Sequence, residues 1–168
     1  RDVRQGVTVT APLCILTWNL NFRAGATLER LLELAATHDV LALQEVTVEH
    51  APEYQRRLEE AGFNVTYAPA QGTYASMVAS RLPCSIDQES PALWPELAAH
   101  VVLKSDLSRL HVLSVHVPNG SGNGWRKIEW MDGLHRVLDE IDGPVIVAGD
   151  FNEPRFTWLQ DGAVITWG

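Results

Sequence analysis

Apolar residues recur along this chain in two rhythms. In "LCILTWNL" (13–20) and "DVLALQEV" (39–46) they form short, nearly continuous runs, the pattern of strands buried on both faces. Between these runs, "TLERLLELAATH" (27–38) places Leu28, Leu31, Leu32 and Ala35 at helical spacing, with Thr27 as the expected N-cap. "PEYQRRLEEAG" (52–62) predicts a second helix, with proline at its start and glycine at its end. "FNVTYA", "TYASMVAS", "LAAHVVLK" and "RLHVLSVHV" are rich in Val, Tyr and Thr and are separated by turn formers, which predicts hairpins. A longer helix is expected over 125–141 with Ile128, Met131, Leu134, Leu138 and Ile141 inward, followed by a strand over 144–149. Helices and hairpins alternating in this way predict an α/β (α+β) chain. Its expected form is two mixed sheets packed face to face with helices outside, rather than one doubly wound parallel sheet.

The polar residues that end the apolar runs change the picture. Four runs close on side chains suited to metal ligation or proton transfer: "ILTWN" on Asn19, "VLALQE" on Glu45, "HVLSVH" on His116 and "VIVAGD" on Asp150. An ordinary strand-end turn accounts for any one of them. Four together point to a shared site along one rim of the sheets, where strands gather functional groups.

Composition sets the limits. With 168 residues, 46% hydrophobic and 20% charged, the chain suits one globular domain, here expected to span 1–168. A net charge of -8 gives no basic footprint for nucleic acid, although a bound divalent cation reverses the local field. Cys14 and Cys84, far apart among apolar neighbours, read as reduced core thiols. No apolar run is long enough to span a membrane and no signal peptide is visible, which favours a soluble cytoplasmic protein. A start at Arg1 rather than Met leaves secretion open.

"TWNLN", "ALQEV", "ASRLP", "SVHVPN" and "VAGDFNEP" occur in an order and spacing that resemble the endonuclease/exonuclease/phosphatase superfamily over essentially the whole chain. The resemblance implies a four-layer α/β sandwich and metal-assisted hydrolysis of a phosphoester by in-line attack of water. It makes Glu45 the principal metal carboxylate, a hard oxygen ligand for Mg2+ or Mn2+. Asn19 would help hold the metal and phosphate, Asp150 would orient or deprotonate the attacking water, and Asn152 would donate to the phosphate oxygens. His116 would contact the scissile phosphate or assist the leaving group, with Asn119 and Arg126 as substrate contacts. The glycine-rich "NGSGNGWRK" reads as a loop suited to anion binding through backbone N–H groups, and Trp125 within it as a substrate contact. Asn21 departs from the abasic-site endonucleases, which have aspartate there.

The family pattern continues to a terminal Ser-Asp-His element, whereas no histidine follows His135 here. The expectation is therefore a domain incomplete at its C-terminus, and a chain that by itself turns over substrate poorly. Two functions follow: a divalent-metal phosphodiesterase or nuclease acting on nucleic acid, a phospholipid or a small phosphodiester, or a non-catalytic relative serving as a binding module.

Overall fold

The computed structural model describes residues 12–67, 73–86, 98–104, 109–153, 156–158 and 164–166, with the side chains of 86, 121–124, 156–158 and 164–166 outside that description. Short apolar runs pair at once with their neighbours. β1 (Ile15–Asn19) lies parallel to β2 (Val40–Thr47), and α1 (Ala26–Ala35) makes the connection. α2 (Ala51–Glu60) leads to β3 (Asn64–Tyr67), which forms a hairpin with β4 (Tyr74–Ser80). The resulting four-stranded sheet has the order β1-β2-β4-β3.

The second sheet adds β5 (Cys84–Ile86), β6 (Ala98–Lys104), β7 (Arg109–His116) and β8 (Val145–Asp150) in the order β5-β6-β7-β8. The first three strands are antiparallel, while α3 (Gly120–Glu140) returns the chain so that β8 lies parallel to β7. β9 (Phe156–Trp158) and β10 (Val164–Thr166) form a separate hairpin. The chain is thus mixed α/β with two mixed sheets, as the alternation of patterns predicts.

Three apolar clusters define four layers. Leu28, Leu31, Ala35, Tyr54 and Leu58 of α1 and α2 pack on Leu41, Leu43 and Met77 of the first sheet. Val40 and Val78 meet Val101, Leu103 and Val112 between the sheets. Trp130 and Val137 of α3 cover Leu113 and Val115 on the outer face of the second. Each fully buried aliphatic or aromatic side chain contributes roughly 1.5–3 kcal/mol of transfer free energy, so these clusters hold the layers together.

Several local expectations are corrected. α1 begins at Ala26 with Gly25 at the cap position (φ 58) and no side-chain cap, so Thr27 lies inside the helix. α3 begins at Gly120, taking in the glycine-rich stretch expected to be a loop. Its inward face is set by Trp130 and Val137, with Leu134, Leu138 and Ile141 alongside, whereas Ile128 and Met131 are exposed. The indole, being the largest apolar group on the helix, selects the buried face at a phase that puts those two outside. Both cysteines are free thiols, as expected; Cys84 is half-buried against the apolar layer between the sheets, whereas Cys14 is exposed and so not a core residue. Trp130 is buried and Trp18 half-buried against the core, while Trp125 is 77% exposed. Trp94, Trp167 and the Trp158 side chain lie outside the described residues.

Candidate functional site

The two parallel pairs, β1–β2 and β7–β8, aim their C-terminal ends at the same rim of the sandwich. Asn19 closes β1, His116 closes β7, and Asp150 closes β8 beside it in register. Glu45 reaches the rim differently from the sequence expectation, because β2 runs on past it to Thr47. Leu43 pairs with Met77 and Val46 with Ala75, so Gln44 and Glu45 together oppose one residue. This is a β-bulge, a device that re-aims a side chain, and it gives Glu45 a left-handed φ of 56°. Such a conformation in a non-glycine residue costs about 1–3 kcal/mol and persists only where its surroundings hold it. They do: Leu20 N donates to the Gln44 carbonyl (2.9 Å), Phe22 N to the Glu45 carbonyl (3.3 Å), and Ser114 Oγ to the Leu43 carbonyl (3.0 Å). Gln44 Nε2 in turn donates to Ser114 Oγ (2.9 Å), a buried link between the two sheets.

Hydrogen bonding fixes the orientation of the polar groups. Asn21 N donates to Asn19 Oδ1 (2.8 Å), which leaves Asn19 Nδ2 to donate to Asp150 Oδ2 (2.7 Å). Asp150 Oδ1 accepts from Asn152 N (2.8 Å). Asn152, at φ 49, sends its side-chain amide to the Val117 carbonyl (2.7 Å) and towards His116 Nε2 (3.3 Å). In this arrangement Asn152 braces His116. His116 Nε2 also lies 3.4 Å from Glu45 Oε1, while its buried Nδ1 has no hydrogen-bond partner.

Glu45, His116 and Asp150 each offer a ligand atom within 4.8 Å of the others. Among the described residues no lysine or arginine pairs with either carboxylate, so the negative charge there suits a divalent cation. The donor set, two carboxylates with the Asn19 amide beside them, fits a hard cation such as Mg2+ or Mn2+. His116 is less suited as a ligand, because its Nδ1 lacks the outer partner that orients a ligating imidazole.

Burial pushes the His116 imidazole below its usual range, against the opposing upward pull of Glu45 and Asp150. Its folded-state value is therefore depressed, and the unfolded chain binds the proton more readily below about pH 6.5. Stability should be full above that pH and decline as pH falls through it. Thermal melts of His116→Gln should show a shallower decline between pH 7 and 5; an identical slope would remove this histidine as the cause.

The polar cluster has further neighbours, while the expected substrate contacts have only their places in the chain. Asn119 follows β7 and Arg126 lies in α3, both exposed. Sequence reasoning missed Lys127, whose Nζ donates to the Asn152 carbonyl (3.1 Å) and pairs with Glu153, pinning the turn after β8. It missed the Gln44–Ser114 link as well, although Gln44, a buried-run amide next to Glu45, is a usable signal. Phe22 and Tyr74 carry no such signal: the Tyr74 ring meets His116 at a tilt of 52° with centroids 5.3 Å apart, and Phe22 meets Tyr74 edge-on at 5.1 Å.

The fold has known counterparts. Residues 16–163 match the profile of the Endonuclease/Exonuclease/phosphatase family. The chain belongs to that family. A curated relative within reach of sequence comparison is a UPF0294 protein of Vibrio cholerae, 29% identical over 154 residues, which cover 83% of this chain and 53% of that protein. The chain thus spans about half the length of the curated relatives it matches. Among solved structures, an AP endonuclease from Archaeoglobus fulgidus superposes with a TM-score of 0.64 at 20% identity, over 84% of this chain and 58% of that one. The 3′ phosphatase NExo from Neisseria, bound to a product DNA hairpin, gives 0.61 at 22% identity over 84% and 58%. These likenesses show that the endonuclease/exonuclease/phosphatase fold is present. No described helix is long and apolar enough to cross a membrane.

Proposed function

We propose that the protein is a divalent-metal-dependent phosphoester hydrolase, a phosphodiesterase or nuclease that uses Mg2+ or Mn2+. The observation that carries this reading is the meeting of Glu45 and Asp150. Strands of different sheets bring the two carboxylates together, and a bulge that costs stability turns one of them inward. Mutual repulsion of two carboxylates in a partly buried cleft is unfavourable without a cation. Family membership and the fold shared with an AP endonuclease and a 3′ phosphatase support the same reaction class.

In this reading Glu45 and Asn19 hold the cation, which when bound neutralises charge on the phosphoryl oxygens. Asp150 takes a proton from the attacking water. Its two oxygens are held by Asn19 Nδ2 and Asn152 N, so its lone pairs face a fixed direction. The water oxygen bonds to phosphorus while the ester P–O bond breaks on the opposite side. His116, kept neutral by burial, accepts from Asn152 at Nε2; to donate to a phosphoryl or departing oxygen it must take the other tautomer, with the proton on Nε2, and release that contact. Asn119 and Arg126 are assigned to the substrate.

Addition of Mn2+ should raise the melting temperature of the protein, since a ligand that binds only the folded state stabilises it by RT ln(1 + [L]/Kd). At 100 times Kd this is about 2.7 kcal/mol, several degrees for a chain of this size. Glu45→Gln should abolish the rise, with bound Mn2+ counted in parallel by electron paramagnetic resonance. An undiminished shift in Glu45→Gln would take that carboxylate out of the cation site.

A further inference from the structure

We infer that Phe22 forms the floor of a subsite for a nucleobase next to the scissile phosphate, which makes an unpaired nucleotide the substrate class of this cleft. The inference rests on the phosphoester reading for its neighbour, but on separate residues for its own content. Phe22 lies 46% exposed, with its ring edge-on to Tyr74, and the Tyr74 ring packs on His116. The three rings form a continuous path from the candidate site to solvent. Other large apolar side chains are exposed on this protein, but among the described residues Phe22 is the one tied by its backbone to Glu45.

The ring is held in place rather than left to wander. Its turn is braced by Leu20 N to the Gln44 carbonyl (2.9 Å), Phe22 N to the Glu45 carbonyl (3.3 Å) and Arg23 N to the Leu20 carbonyl (3.1 Å). From α2, the hydroxyl of Tyr54 donates to the Arg23 carbonyl (2.7 Å). Phe22 also has a φ of 60°, a conformation rarely adopted by a bulky side chain. A fixed aromatic ring loses little entropy when a flat partner stacks on it. Phosphate contacts along a duplex need a basic surface, which a net charge of -8 does not favour. Stacking depends on a π face instead, and every unpaired base offers one.

The test compares hexathymidylate with a hexamer of the same backbone built from base-less tetrahydrofuran units, using the wild-type protein, Phe22→Ala and Phe22→Trp. Hydrolysis with Mn2+ gives kcat/KM, and fluorescence anisotropy of labelled oligomers gives Kd without any need for turnover. Wild type should favour the base-bearing oligomer by roughly tenfold in both measurements, the size expected for one base–aromatic stack. Phe22→Ala should bring that ratio close to one, and Phe22→Trp should keep it. A preference that survives in Phe22→Ala overturns the subsite while leaving the hydrolase reading intact. A Phe22-dependent binding preference with no hydrolysis by the full-length protein has the reverse effect, keeping the subsite and removing the reaction. Binding to phosphatidylglycerol vesicles that Phe22→Ala abolishes, without any base preference, overturns the nucleobase in favour of a lipid.

Discussion

Asp150→Asn is expected to lower phosphodiester hydrolysis by about 10²- to 10³-fold or more, the range for loss of a positioned base or electrostatic group. Its local cost can be read from the hydrogen bonds. Asp150 accepts on both oxygens, from Asn19 Nδ2 and from Asn152 N. An asparagine has one acceptor and one NH2 group, so one of the two contacts becomes donor against donor. Asn19 cannot relieve this by turning over, because its own oxygen already accepts from Asn21 N. Losing a partly buried hydrogen bond of this kind costs about 1 kcal/mol or more, so the variant should melt earlier as well as react slowly. Multiple-turnover rates with Mn2+, alongside thermal melts, separate the two effects. Wild-type rates in Asp150→Asn would eliminate Asp150 as the acceptor of the water's proton.

Gly149→Ala should damage the fold more than any surface change. Gly149 sits opposite Val115 in the parallel β7–β8 ladder with a φ of 154°. A Cβ added there would lie 1.9 Å from the Val115 carbonyl oxygen, which is backbone and cannot swing aside. Overpacking and backbone strain together should cost about 3 kcal/mol or more, lowering the melting temperature by roughly 10 °C. A melting temperature within a degree or two of wild type would show that β8 does not hold this close approach in solution.

Much of the architecture is legible from apolar periodicity, because strands buried on both faces cannot hide their composition. The rim residues Asn19, His116 and Asp150 stand at strand ends where that periodicity breaks. Glu45 is legible as a residue but not in its geometry. The bulge depends on partners in β1, β4 and β7, and no glycine marks its left-handed turn. The start of α3 is hidden by glycines whose low helix propensity is overridden in the fold, and its buried face by the choice between Trp130 and the smaller Ile128 and Met131. The Phe22–Tyr74–His116 path joins three distant stretches of chain and leaves no local signal.

The two polar contacts across the rim have a consequence for how the molecule opens. β1-α1-β2 and β7-α3-β8 are units of the same kind, each ending one strand on a neutral side chain and carrying a carboxylate on the next. Asn19 of the first unit holds Asp150 of the second, and His116 of the second faces Glu45 of the first. Neither unit contains a whole cleft, so the exchange exists only while the two sheets are docked. In the proposed reading, a cation held by Glu45 and Asn19 would lie against Asp150 of the other half, so its affinity would become a gauge of how firmly Val40 and Val78 are pressed against Val101 and Val112 in the layer beneath.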